Sequence, residues 1–204
     1  MKKIKVILGP TAIGKTEISI EVAQKLGAEI VSCDSRQIYK YMDIGTNKPT
    51  KEQLESVKHY MIDIVYPDEE YNAFMYAEEA NKILSEGKEK IVVGGSPLYM
   101  KALFEGFFKL PDDVKEKIKE IRQELLKRDV KDLYRELKEV DFATAQKLHP
   151  NDKKRIVRAL EVYKATGKKI SELKKHKPNR EFEPVYFGLI MDRQELYKRI
   201  EKRV

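Results

Sequence analysis

The stretch Lys3–Thr16, KIKVILGPTAIGKT, decides how the rest of the chain is read. Ile4, Val6, Ile7 and Leu8 form a short apolar run of the kind a buried strand presents. Gly9, Gly14, Lys15 and Thr16 then satisfy G-x-x-x-x-G-K-[ST] without a mismatch. Beyond them Ile18, Ile20, Val22, Ala23 and Leu26 recur at close to helical spacing. Strand, glycine loop and helix together are the context that phosphate binding requires. The glycines let successive N–H groups turn inward, and the helix start adds positive potential. Gly9, Pro10, Thr11, Ala12, Ile13, Gly14, Lys15 and Thr16 are therefore the candidate diphosphate- or nucleotide-binding residues. Lys15 would set a cation on the terminal phosphates, and Thr16 would offer its hydroxyl to Mg²⁺, the implied cofactor. The motif names a polyphosphate but not its fate.

Composition narrows the setting. With 204 residues, 41% hydrophobic and 37% charged, the chain can bury one sizeable core with a smaller appended unit. No apolar run reaches membrane-spanning length, and the start breaks into the glycine loop too early for a signal peptide. The single Cys33 cannot form an internal disulfide, which suits a reducing cytoplasm. The net charge of +7 is unevenly placed. Lys147–Arg180 holds 12 basic and 3 acidic residues, a concentration that marks a polyanion-binding face more often than a merely solvated helix surface. Because the phosphate-loop half is near neutral, the basic half is expected to serve a second anionic partner.

Further along, AEIVSCD reads as a second strand, with Asp34 at its carboxyl end, where parallel sheets bind ligands. Asp34–Pro49 is irregular yet rich in apolar residues, as a loop packed on the body or around an apolar ligand would be. His59–Pro67 reads as a short strand ending in a turn, and Asn72–Glu86 as an amphipathic helix closed by Gly87. Lys90–Phe107 repeats the opening pattern of apolar strand, paired glycine, small hydroxyl residue and helix. From Asp112 to Arg180 the pattern is helical and heavily charged, with Asn151 or Asp152 as a helix cap. Val185–Asp192 returns to strand composition, and a final amphipathic helix simply stops, as in a truncated chain. The expected class is α/β: a phosphate-loop, kinase-like parallel sheet core with a helical insertion. The expected division is a core over 1–111, a basic insertion over 112–180 and a return to the core over 181–204.

Asp34 and Ser96 stand at the ends of two predicted strands near the phosphate loop. A carboxylate and a hydroxyl facing a polyphosphate suit transfer chemistry, the carboxylate taking a proton from a nucleophile. Mg²⁺ ligation is the competing role for Asp34, and helix capping the competing role for Ser96. His59, His149 and His176 lack metal-like spacing and read as structural or surface residues. Tyr39, Tyr41, Tyr60, Tyr66 and Tyr71 read as core and rim residues, one or two of them able to stack on a base.

GPTAIGKT, DSRQIYKYMDIGTNKP, HYMIDIVYP, GGSPLYMKAL and NDKKRIVRALEVYKATGK, in that order, resemble the tRNA dimethylallyltransferase family over almost the whole chain. The resemblance implies transfer of a dimethylallyl group from dimethylallyl diphosphate to N6 of the adenosine just 3′ of the anticodon, in tRNAs that read codons starting with U. It implies that the diphosphate lies in Thr11–Thr16 and that Lys15, Asp34 and Ser96 carry the catalysis, with Asp34 accepting the N6 proton. Asp34, Ser35, Arg36 and Gln37, together with Ser96 and Lys115, match the family's tRNA contacts; so do Lys154, Arg155, Ile156, Val157 and Arg158. The implied partners are the tRNA anticodon stem-loop and dimethylallyl diphosphate, with no membrane and no stable protein partner, leaving a monomer. Ser96 stands where the family usually has Thr, and Lys115 where Arg is usual, so a point charge replaces a planar fork. The alternatives are a small-molecule kinase, a prenyltransferase acting on free adenine nucleotides, and an RNA-binding nucleotide switch.

Overall fold

The computed structural model describes residues 1–108, 110–175 and 181–203, and for residues 112, 115 and 203 the backbone alone. Five strands, β1 (Lys2–Leu8), β2 (Glu29–Cys33), β3 (His59–Tyr60), β4 (Lys90–Gly94) and β5 (Phe182–Gly188), form one parallel sheet in the order β3-β2-β4-β1-β5. Parallel neighbours need crossovers, and the intervening segments supply them: α1 (Lys15–Leu26), α2 (Lys51–Ser56), α3 (Ala73–Ser85) and α4 (Pro97–Glu105). The central strands read as near-continuous apolar runs because both their faces are covered. Val6, Val31, Ile91 and Val92 are fully buried. The chain divides into two compact units, Met1–Gly106 with Asn179–Val204, and Phe107–Pro178.

In the sheet unit, α3 packs Tyr76, Ala77, Ala80 and Leu84 inward, and Tyr76 stacks on Tyr99 of α4 at a centroid distance of 4.5 Å. The Tyr76 hydroxyl is not left unpaired in that core: it donates to the Ser32 carbonyl at 3.0 Å. Asn72 caps α3, its Oδ1 accepting from the Phe74 and Met75 amides. α2 has no apolar periodicity and rests on a capping box, Thr50 Oγ1 accepting from the Gln53 amide while Gln53 Oε1 accepts from Thr50.

One short strand is found with the turn expected of it, and the bounds of another are corrected. The stretch His59–Pro67 is strand only at His59 and Tyr60, because Met61 (φ 63°) and Asp63 (φ 55°) turn the chain through left-handed backbone. Val65 retains a single parallel bridge to Tyr39. The last strand runs over Phe182–Gly188 rather than Val185–Asp192, since its register is dictated by β1, from Lys2 opposite Phe182 to Leu8 opposite Gly188. α10 (Arg193–Arg203) follows.

The second unit holds α5 (Lys115–Leu126), α6 (Val130–Val140), α7 (Phe142–Ala145), α8 (Lys153–Thr166) and α9 (Ile170–Leu173). Their i, i+3, i+4 apolar positions meet in one core of Leu125, Leu133, Leu137, Ile156 and Leu160. Asp152, not Asn151, caps α8, accepting from the Arg155 amide at 3.1 Å. Asp141 does more. Buried at 2% exposure, it accepts from the Thr144 amide and hydroxyl and from the Ser171 amide, tying α7 to α9. Burial works to raise its pKa, but the Ser171 and Thr144 donors outweigh burial and hold it below the ordinary carboxylate value.

Asp141→Asn turns one acceptor into a donor facing donors, so it is expected to cost about 2–4 kcal/mol in urea unfolding. The sign of the pH dependence follows from the lowered pKa. The wild-type advantage is full above the unfolded carboxyl pKa, near about 3.9, and fades as pH falls through the lower folded value.

Candidate active site and nucleic-acid interface

The register of β2, β4 and β1 sets three carboxyl ends side by side: Leu8 opposite Gly94, and Gly94 opposite Cys33. Just past those ends come the phosphate loop, the Gly95–Ser96 turn and Asp34. In the loop, Ala12 (φ 62°) and Gly14 (φ 94°) lie in the left-handed region, which turns the backbone into the start of α1. Lys15 folds back over its own loop, its Nζ donating to the carbonyls of Gly9 (2.9 Å) and Pro10 (2.7 Å). Gly94 admits no side chain, since a Cβ there would lie 2.1 Å from the Cys33 carbonyl oxygen.

Asp34 accepts from the Arg36 amide at 2.8 Å, closing a tight turn at the end of β2. Ser96 does not cap α4. Its Oγ accepts from the Ser35 amide at 2.9 Å and donates to Ser35 Oγ at 3.3 Å. A hydroxyl at the end of β4 thus fixes the turn that carries Asp34. Lys15, Thr16, Asp34, Gln37 and Gly94 line one cleft. A neighbouring cavity of about 470 Å³ is lined by Gly9, Gly95, Ser96, Pro97, Met100 and Tyr186. Cys33, beside Asp34, is no nucleophile here, since burial pushes its thiol up to about 12. His59 is half-buried and its pKa is lowered by burial; its Nδ1 bonds the Val57 carbonyl at 2.7 Å, so a neutral ring with Nδ1–H fits.

The loop after Asp34 is held by two ties with no sequence motif of their own. Gln37 accepts from Ser32 Oγ and donates to the Asn47 carbonyl at 2.9 Å. Lys48, whose side chain is only 5% exposed, donates to Asp43, Asp63 and the Tyr39 carbonyl. Burial favours losing its proton, yet the Asp43 and Asp63 carboxylates outweigh burial and raise its pKa. Tyr41 and Tyr66 of this region are exposed and tilt against each other at 5.9 Å. Arg199 of α10 is a further cation at the loop, its Nη1 3.9 Å from where a Gly14 Cβ would stand.

Among the described residues no three His, Cys, Asp or Glu side chains converge as a metal cage. Thr16 and Asp34 both line the phosphate-loop cleft, and a Thr16 hydroxyl is a hard-oxygen donor of the kind that fits Mg²⁺.

On the second unit, Lys154 and Arg155 are exposed on α8. Ile156 and Val157, in the same segment, are at 0% and 2% exposure, so their side chains belong to the core. Much of the local positive charge is tied internally, Arg155 to Asp152, Arg158 to Glu161 and Lys164 to Glu136. Lys153 donates to the Leu126 and Arg128 carbonyls at the end of α5. The side chain of Lys115, and all of His176, lie outside the described residues.

Residues 37–204 match the model of the IPP transferase family. Over 99% of its length the chain is 49% identical to a protein of Thermotoga maritima named tRNA dimethylallyltransferase, covering 67% of that relative. The chain belongs to the IPP transferase family. A relative of the same name from Acetivibrio thermocellus is 45% identical, with 67% of it covered. Among solved structures, a eukaryotic dimethylallyltransferase described as acting on tRNA aligns with a TM-score of 0.84 at 33% identity, over 100% of this chain and 52% of that one. The Staphylococcus epidermidis tRNA isopentenylpyrophosphate transferase gives 0.59 at 39% identity, over 100% and 68%. In this chain the ends of β1 and β4 and the turn at Asp34 thus lie side by side.

Ser96→Ala leaves the Ser35 amide without its acceptor and is expected to cost about 1–2 kcal/mol in urea unfolding. Ser96→Thr keeps the oxygen and should recover most of that loss. An alanine variant as stable as wild type would remove the Ser96 hydroxyl from this role.

Proposed function

We propose that the chain transfers a dimethylallyl group from dimethylallyl diphosphate to N6 of the adenosine 3′-adjacent to the anticodon, in tRNAs that read codons beginning with U. The observation that carries this reading is the convergence of the phosphate loop, Asp34 and Ser96 at adjacent strand ends. In the step, the bond from N6 to the allylic carbon forms and the carbon–oxygen bond to diphosphate breaks. The electron pair leaves with the diphosphate, and the N6 proton passes to the Asp34 carboxylate. Charge develops at the diphosphate as the allylic carbon becomes cation-like. Fixed amides and the Lys15 ammonium of Gly9–Thr16 therefore act where the transition state differs most from the ground state. Mg²⁺, held by the Thr16 hydroxyl and the diphosphate oxygens, would supply further positive charge to the leaving group.

The adenosine would be turned out of its loop to reach Asp34. Asp34–Gln37 and Ser96 would contact it from the sheet unit, with Lys154, Arg155 and Arg158 holding RNA backbone on the helical unit. Among the described residues no helix is long and apolar enough to cross a membrane. Action in the cytoplasm, where tRNA and a free thiol such as Cys33 coexist, completes the reading.

Incubating the full-length enzyme with unmodified tRNA and dimethylallyl diphosphate, then digesting the RNA, should yield isopentenyladenosine by mass spectrometry. ATP turnover without this product would favour a kinase instead. Asp34→Asn should keep tRNA affinity while turnover falls roughly 100-fold or more. An equal loss of affinity would make Asp34 a structural residue.

A further inference from the structure

Tyr41 is an aromatic residue held in left-handed backbone, at φ 64°, and it stands 79% exposed. A bulky side chain is strained there, and such strain persists only where the surroundings over-determine it. They do so on both sides of Tyr41. Before it, the Lys40 amide donates to the Val65 carbonyl at 2.8 Å, and the Tyr39 carbonyl accepts from Lys48 Nζ at 2.6 Å. After it, the Met42 carbonyl accepts from the Thr46 hydroxyl, and the Asp43 carboxylate is held by Lys48. A core tyrosine would offset the strain by burial. Here the backbone is fixed and the ring is left in water, leaning on Tyr66.

Its place in the fold gives the ring an occupant. Gln37 and Pro49, at the two ends of this loop, both line the cleft that holds Lys15, Thr16 and Asp34. The excursion that carries Tyr41 therefore leaves from the rim of the cleft and returns to it. Lys40 sets its Nζ 4.0 Å from the centre of the Tyr66 ring, so a cation accompanies the aromatic pair. The Asp43, Asp63 and Glu69 carboxylates are already engaged, two by Lys48 and the third by the Tyr66 amide. We propose that Tyr41, backed by Tyr66, is a stacking platform for an unpaired base of the tRNA anticodon loop, next to the nucleotide turned into the cleft. This rests on the reading of the Asp34 cleft as the site that receives the adenosine. Turning one base out of a loop uncovers a face of its neighbour, and an aromatic ring can cover that face. Every base has such a face, so the platform tolerates the differing loops of several tRNAs. A ring on a fixed backbone also loses little freedom when the base arrives.

The test is binding of unmodified tRNA to the full-length enzyme across a potassium chloride series. Tyr41→Gly removes the ring and suits the positive φ, so the thermal midpoint should hold. Its tRNA affinity should fall about 5- to 30-fold with the slope of log K against log salt unchanged, because stacking is lost and no cation is. Tyr41→Phe keeps the ring and should bind within about 2-fold of wild type. Synthetic anticodon stem-loops with one abasic position each then locate the base. At that position wild type should weaken to the level of Tyr41→Gly, and the variant should lose nothing more. If every abasic RNA weakens both proteins equally, no base rests on Tyr41 and the platform is overturned. It is likewise overturned if light scattering shows a wild-type dimer that Tyr41→Gly dissociates, since a second copy then covers the ring. If wild type forms isopentenyladenosine while Tyr41→Gly binds tRNA normally, the platform alone fails. If wild type forms none, the reading of the cleft fails first.

Discussion

The close approach of β2 and β4 at Gly94 is the constraint on which the site depends. A Cβ at that position would meet the Cys33 carbonyl at 2.1 Å, so only a bare backbone allows the strands to end together. Ending together is what lets the Ser96 hydroxyl reach the Ser35 amide, and through it the turn that presents Asp34. On its other side β4 runs in register with β1, so the same strand end also borders the phosphate loop. One missing methyl group thus brings the glycine loop with its Lys15 and the Asp34 carboxylate into a single cleft.

Much of this was legible in the sequence because it rests on local rules. The apolar run of β1, the glycine spacing of the loop and the helical period of α1 each specify geometry within a few residues. The insertion helices were legible for the same reason, α5 to α9 falling within the segment whose pattern is helical. What escaped depends on partners distant in sequence. Lys48 looks like any surface lysine until Asp63 and the Tyr39 carbonyl are brought to it. Arg199 meets the phosphate loop only because β5 pairs with β1 and returns α10 there. The turn that ends β3 runs through two left-handed residues, Met61 and Asp63, neither of them glycine. Asp63 is a residue type that tolerates a positive φ, whereas nothing in the Met61 side chain announces one; Lys48 ties Asp63 in place by a salt bridge.

Charge counting behaved differently from motif reading. The excess over Lys147–Arg180 pointed to a polyanion face, yet within it Lys153, Arg155, Arg158 and Lys164 already have protein partners. A net charge therefore overstates how many cations stand ready and says nothing about how they are held. Ile156 and Val157 make the complementary point. A contiguous motif on a helix contains residues that face opposite ways, so a segment matched as a whole divides into an exposed half and a core half.

The phosphate loop itself takes its meaning from these neighbours. A loop of this kind in a phosphoryl-transfer enzyme must hold the group being attacked, with the nucleophile in line with phosphorus. Here the groups that converge beside it are a carboxylate in a tight turn and a hydroxyl that braces that turn. That pair suits drawing a proton from an amine whose target lies beyond the phosphates. On the proposed reading the loop has a simpler task, which is to favour the charge of a departing diphosphate. Fixed amides and one lysine serve that end without moving. The same backbone that elsewhere cradles a reacting phosphorus can thus act as a grip on a leaving group, and the residues across β4 determine which of the two it is.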